Sequence, residues 1–230
     1  MDFLSQGILT AFRLLFTLDR EVFSIVFISL KISSTAILAA SIVGIPLGFL
    51  AGALNFKGRN LLGTVLNTFM AMPTVVAGLF VFFLVSRQGP LGSLNLLFTV
   101  KAVILGQFIL AVPIVAALTM SAVREVDARV SPTALTLGAS GMLRAWTILR
   151  EARFALMAAV AAGFGRAIAE VGSAIILGGN IKGYTRTVTT AIALEAGKGE
   201  FGRAMALGII LLMVAFTVNI FFRRLQGGTT

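Results

Sequence analysis

Arg166 and Glu170 stand four positions apart inside the run from Phe154 to Leu177, which carries no other charge. On a helix that spacing puts both side chains on one face, where they can pair. An ionisable group at membrane depth is costly unless it faces a partner or a water-filled cavity, so it marks a functional position by default. Two readings follow. Either the pair neutralises itself and pins helix packing, or it lines an anion pathway. In the second case Arg166 supplies positive potential and Glu170 keeps that potential from becoming a trap, since a pore must bind weakly enough to release. Gly178, Gly179 and Asn180 end the run, as a plain helix end or as an outer gate. Beyond them Lys182, Arg186 and Lys198 are either solvated loop charges or a surface that attracts anions or a docking protein.

Other chemistries are excluded by what the chain lacks. It has no cysteine and no histidine, which removes disulfides, thiolate chemistry and histidine-ligated zinc or haem. Gly197-Lys198-Gly199 has neither the upstream glycine nor the hydroxyl of a phosphate-binding loop, so this chain hydrolyses no nucleotide of its own. The formal charge of +10 is spread along the sequence without interleaved aromatics. It reads as loop charge of a membrane protein, and nucleic acid is not an expected partner.

The elements that must position these residues are membrane helices. Hydrophobic residues make up 58% and charged residues 12%, half the charge of a soluble domain, and mean hydropathy is +1.00. Uncharged windows of 25, 27, 22 and 19 residues lie between Lys31 and Lys57, Arg59 and Arg87, Lys101 and Arg124, and Arg203 and Arg223. Each approaches or exceeds the roughly 20 residues that cross a hydrocarbon core. No alternating pattern suggests a barrel. The expected class is an all-α polytopic membrane protein of one domain, 1–230, with about five transmembrane helices at 23–53, 61–86, 102–123, 154–176 and 204–222. A further helix over 1–20 is expected in the membrane interface, from Phe3, Ile8, Leu9, Phe12, Leu15 and Phe16 at helical spacing. Gly44, Gly48 and Gly52 repeat every fourth residue, a seam for close helix packing, within the subunit or across a dimer. Met72-Pro73 and Val112-Pro113 sit mid-span and invite kinks.

Between the third and fourth spans, 124–153 is polar. Ser131-Pro132 suits a helix start, Gly138 permits a turn, and Ser140 can cap a second helix through Trp146 and Arg150 towards the membrane. Two short angled helices between spans form a protrusion that a soluble protein can grip, or an ordinary amphipathic connector.

This stretch resembles the cytoplasmic loop of permease subunits of bacterial ABC importers. That loop reads Glu-Ala-Ala, a glycine, then Ile and Leu-Pro. Residues 132–138 occupy its first part, with Ala134, Leu137 and Gly138 matching, Ala139 follows as part of the same coupling loop, and Ile148 stands at the expected offset. The sequence departs in having Pro132, Thr133 and Arg150-Glu151 where the family has Glu, Ala and Leu-Pro. Without that proline, the second helix is expected to enter the membrane unbroken. Gly165-Arg-Ala-Ile-Ala-Glu170-Val-Gly-Ser, followed by Gly179-Asn-Ile-Lys-Gly-Tyr-Thr-Arg-Thr187 and Thr190-Ala-Ile-Ala-Leu-Glu-Ala-Gly-Lys198, resembles the oxyanion branch, most of all the tungstate-type permeases. Molybdate and, more remotely, sulfate remain alternatives as cargo. A self-contained channel or ion-coupled carrier is the rival from another class.

The resemblance implies a type I importer permease that pairs with a second copy of itself in a homodimer. Each of two ATP-binding cassette subunits would grip one Gly138 loop. An extracytoplasmic oxyanion-binding protein would deliver the anion. This chain would bind no cofactor; ATP and magnesium would belong to the partner subunit. A cytoplasmic Gly138 loop places the amino terminus outside and the carboxyl end in the cytoplasm of a bacterial inner-membrane protein. Lys and Arg divide evenly between the two sides in that topology, nine against nine outside Arg166, so the positive-inside rule does not decide it.

Overall fold

The computed structural model describes residues 19–225 except Asn55, together with positions 5, 8–10, 12, 13 and 17. The helix expected over 1–20 falls largely outside the described residues. Between 19 and 225 the regular structure is helical throughout.

Among the described residues three helices are long and apolar enough to cross a membrane: α1 (Arg20–Ala53), α4 (Val100–Glu125) and α10 (Phe201–Leu225). They match three of the expected spans. Asp19 opens α1 by accepting from the backbone N–H groups of Glu21 and Val22 at 2.9 and 3.1 Å, and Thr99 caps α4. At about 1.5 Å per residue, the 34 residues of α1 reach about 50 Å, well beyond the hydrocarbon core.

The other two expected spans are broken. In place of a helix over 61–86 the chain forms α2 (Arg59–Met70) and α3 (Thr74–Val85), bent by 99° at Ala71–Pro73. Proline explains this break: it lacks an N–H and pushes the preceding residue out of the helical region. In place of 154–176 stand α7 (Arg153–Ile168) and α8 (Gly172–Gly178), bent by 60° across 169–171, where no proline occurs. Pro46 and Pro113 lie inside α1 and α4, which continue through them. Between α4 and α7 come α5 (Val130–Thr136) and α6 (Gly141–Glu151), and α9 (Val188–Gly197) precedes α10. The unbroken passage from α6 into the membrane does not occur: Ala152 intervenes as a turn at φ −76°, ψ 0°.

Glycines set the packing. The seam of α1 lies against α4, so its use is internal to the chain. A Cβ on Gly48 would stand 2.3 Å from the Ala116 carbonyl oxygen. α7 joins through Gly163, which lies against Ile37 and Val115. Ile37, Ala40, Ala111, Val115, Phe164 and Ile168 form a core common to the three helices. The second halves of the two broken spans pack on each other: Gly78 of α3 faces Ser173, and Gly172 of α8 faces Thr74 and Val75. α8 is seated on α4 where Leu177 fills the space beside Gly106. A second core of Val22, Ile25, Val188, Ala191, Leu207 and Ile210 ties α9 and α10 to the first turns of α1.

Candidate functional site

Two regions hold the residues singled out by the sequence. The first is the α5–α6 hairpin. Gly138 adopts φ +80°, which lets the chain reverse without the Cβ penalty of other residues. The Ala139 N–H donates to the Ala134 carbonyl and the Gly138 N–H to the Leu135 carbonyl, both at 2.9 Å. This paired closure satisfies the last carbonyls of α5 and fixes the angle of the hairpin. The Ser140 hydroxyl accepts from the Leu143 N–H at 3.3 Å and opens α6, as its position predicts. α5 begins one residue before Ser131, behind Asp127, which accepts from the Arg129 backbone N–H and pairs with its guanidinium at 2.7 Å. That guanidinium holds the Asp127 carboxyl below its usual range.

The five expected loop residues divide by role. Ala134 and Ile148 are buried and seat the hairpin on its own chain. Gly138 and Ala139 make the turn. Leu137 projects, 82% exposed, and is joined by Met142 at 82% and Trp146 at 64%, with Leu135 and Leu143 also exposed. Leu137 and Leu143 border an open groove of about 660 Å³ between Asp127 and Glu151, while Leu135, Met142 and Trp146 are exposed elsewhere on the two helices. Large exposed apolar side chains on a polar loop are area that a partner can cover. A smaller pocket, about 230 Å³, joins the hairpin at Ser131, Arg144 and Ile148 to Phe49, Ala53 and Leu54 at the end of α1.

The second region is the break between α7 and α8. Glu170 is 1% exposed and its neighbour in charge, Arg166, 36%. Their side chains approach to 3.5 Å. The other Glu170 oxygen accepts from the Ser173 backbone N–H at 2.8 Å, so the carboxylate also satisfies one of the orphan donors at the start of α8. The Glu170 carbonyl is taken by the Thr189 hydroxyl at 2.6 Å. These two contacts withdraw Glu170 from the helical ladder and account for a bend that no proline imposes. Only Arg166 of the pair presents itself on the surface of this chain, next to exposed Ala162 and Ala169.

Gly178, Gly179 and Asn180 form a tight turn in which Gly179 has φ +67° and Asn180 φ +51°. A Cβ on Gly179 would meet the Phe98 ring at 2.9 Å, and the Phe98 N–H donates to the Leu177 carbonyl at 2.8 Å. The Thr185 hydroxyl donates to the Gly178 carbonyl and accepts from the Ile181 N–H. The Asn180 amide donates to the Thr190 carbonyl and accepts from Arg186. The turn is therefore built from side-chain hydrogen bonds that no local signal announces, since Thr185, Arg186 and Thr190 lie beyond it.

Glu170→Ala is expected to destabilise the chain by about 1–3 kcal/mol relative to Glu170→Gln, because Ala leaves the buried Ser173 N–H without an acceptor whereas Gln keeps one. Thermal unfolding of the detergent-solubilised variants would show it; equal melting of the two would mean that the Ser173 contact contributes nothing.

Comparison with known proteins gives three results. The family model described as binding-protein-dependent transport system inner membrane component matches residues 44–229. Among curated sequences, the tungstate uptake system permease protein TupB of Peptoclostridium acidaminophilum is 40% identical over 98% of this chain and 99% of that one. TupB of Campylobacter jejuni is 42% identical over 98% and 95%. The molybdenum transport system permease protein ModB of Escherichia coli K12 is 27% identical over 87% and 93%. Among solved structures, a MetNI methionine ABC transporter in an inward-facing conformation shares the fold. It has a TM-score of 0.75 over 95% of this chain and 98% of that one, at 17% identity.

Proposed function

This chain belongs to the family of binding-protein-dependent transport system inner membrane components, and we propose that it is the subunit through which an ATP-driven importer moves tungstate across the bacterial inner membrane. The observation that carries the cargo is the 40–42% identity, over nearly the whole length, to two tungstate uptake permeases. The corresponding figures are 27% for a molybdenum permease and 29% for a sulfate permease. The division of labour follows from the residues. The sequence lacks a phosphate-binding loop, so ATP and magnesium belong to a separate cassette subunit, and the apolar face of Leu137, Met142 and Trp146 is the surface that subunit grips. The grip reaches the span region through Ile148 and Ala134, which are packed inward, and through the pocket shared with the end of α1. That assignment puts the hairpin and the carboxyl end in the cytoplasm, and the 178–187 turn outside.

A second copy completes the pathway in this reading. Ala158, Ala161, Ala162 and Gly165 line a groove of about 600 Å³ beside Asn219 and Phe222, and small residues let a partner helix approach closely. Arg166 borders the same face and supplies positive potential to an anion passing between the copies, with Glu170 as its buried counter-charge. An extracytoplasmic binding protein performs the tight selection, and the permease binds only weakly.

The test is elemental mass spectrometry of cells lacking this protein, with and without the gene restored, given submicromolar tungstate and molybdate together in excess sulfate. Restored tungsten is the expected result. Restored molybdenum without tungsten would keep the machine and change its cargo, and no change in either metal would overturn the transport reading.

A further inference from the structure

Glu21 has no part in the reading above, yet three cations converge on it. Asp19 takes the backbone N–H groups at the start of α1, which leaves the Glu21 carboxylate free to turn outward. Lys182 Nζ stands 2.8 Å from Glu21 Oε2, Arg203 Nη2 3.6 Å from the same oxygen, and Arg186 Nη1 3.6 Å from Oε1. The carboxylate and its partners come from the first turn of α1, the turn after α8 and the first turn of α10. Arg186 is largely buried and fixed independently: its Nε donates to Asn180 Oδ1 at 3.2 Å and its Nη2 to the Asn180 carbonyl at 3.4 Å. Lys182 and Arg203 are exposed. One carboxylate against three cations leaves an excess of positive charge at a place open to solvent. That place is the opposite end of α1 from the hairpin, since Phe49, Ala53 and Leu54 meet the hairpin and Glu21 lies at the other terminus of the same helix.

We propose that this cluster is a transient oxyanion site in which Glu21 is a built-in counter-anion that the incoming dianion displaces. The inference rests on the reading of this chain as an oxyanion permease. A carboxylate offers two oxygens with one negative charge; a tetrahedral dianion offers two oxygens on any edge with twice the charge, so it competes for the same donors. The pairs with Lys182 and Arg203 are open to solvent, where ion pairs are weak and screened by salt, and Arg186 is already held by Asn180, so Glu21 yields easily and the anion is held loosely. Such a site collects anion at the outer mouth and returns to a self-neutralised state when the anion moves on.

The test is equilibrium dialysis of the purified full chain in lipid nanodiscs at low ionic strength, with bound tungsten counted by elemental mass spectrometry and molybdate and sulfate as competitors. Glu21→Gln is expected to tighten apparent tungstate binding by about tenfold, the order of effect of removing one charge at this distance near a surface. Adding Lys182→Gln and Arg203→Gln is expected to abolish that gain. In the otherwise native chain, Lys182→Gln with Arg203→Gln is expected to weaken binding at least about fivefold, a readout that does not depend on the Glu21 variant folding. Glu21→Gln binding no tighter than the native chain, a gain that survives loss of both cations, or unchanged binding in the two-cation variant would each overturn the site. The cluster reads charge and shape, so all three anions should compete. The dialysis therefore stands or falls on the site alone, whereas the cargo and the transport reading are decided by cellular uptake.

Discussion

Replacing Leu137 by Asp is expected to abolish ATP-driven anion uptake while the chain still accumulates in the membrane at its normal level. Leu137 closes α5 and is 82% exposed, so its side chain contributes little to the chain's own core. A surface substitution of this kind changes stability by about 0.5 kcal/mol or less. Leu137 shares the groove between the two helices with Leu143, and Met142 and Trp146 add further exposed apolar area on α6. A charge placed at the centre of such an interface must be desolvated without a partner, and hot-spot losses run to about 2–4 kcal/mol, or about thirty- to a thousandfold in affinity. The measurement is co-purification of the cassette subunit with tagged permease, alongside tungsten uptake. Undiminished co-purification would remove Leu137 from the interface. Two further variants separate gripping from folding. Ala134→Asp buries its charge beneath the hairpin and is expected to lower the amount of protein in the membrane. Gly138→Val meets open space but a φ of +80°, so it strains the turn without a clash and is expected to fall between the two.

The contrast between the two broken spans shows what the sequence could disclose. Met72-Pro73 announces its bend because proline acts within its own few residues. The bend at 169–171 has no such local cause: it depends on the Thr189 hydroxyl, 19 residues away, and on a carboxylate that accepts from the helix it precedes. Charge-free windows located α1, α4 and α10 because the bilayer imposes a length on them. The same windows could not reveal that a span of sufficient length is folded from two helices. Within the hairpin, Gly138 and Ser140 were legible because turn and cap chemistry is local. The split of its residues into buried seats and exposed contacts was not, since Ala134 and Leu137 differ only in what lies above them. The Arg166–Glu170 pair was legible from its spacing, while the unequal exposure of the two comes from tertiary packing. Glu21 gave no signal at all, because its partners stand in elements near the other end of the sequence.

Gly48→Ala is expected to be among the most damaging methyl additions in the molecule, and Gly48→Leu to leave no mature protein in the membrane. The new Cβ would lie 2.3 Å from the Ala116 carbonyl oxygen and 2.6 Å from Thr119 Cβ. The first of these is backbone in the middle of α4 and cannot swing aside, so α1 and α4 must separate. Lipid offers helices no hydrophobic reward for association, and what holds them is close contact along small residues. Separation therefore removes the attraction over the whole seam. Overpacking of a tight core costs about 1–3 kcal/mol, and a backbone obstacle places Gly48 at or beyond the top of that range. The geometry orders the series. Gly52 meets Val123 side-chain atoms at 2.8 and 2.9 Å with the Met120 carbonyl at 3.0 Å, and Gly44 meets its first neighbours at 3.0 to 3.1 Å. Gly63 of α2 meets only the tip of Met120, at 3.4 Å. Damage from Ala should fall in the order Gly48, Gly52, Gly44, Gly63. At Gly63 the roughly 1 kcal/mol by which Ala favours a helix over Gly is expected to leave the chain unharmed or slightly more stable. Melting temperatures of the four purified variants in detergent decide the matter: Gly48→Ala melting with the native chain would mean that the α1–α4 contact is not the seam that holds the subunit together.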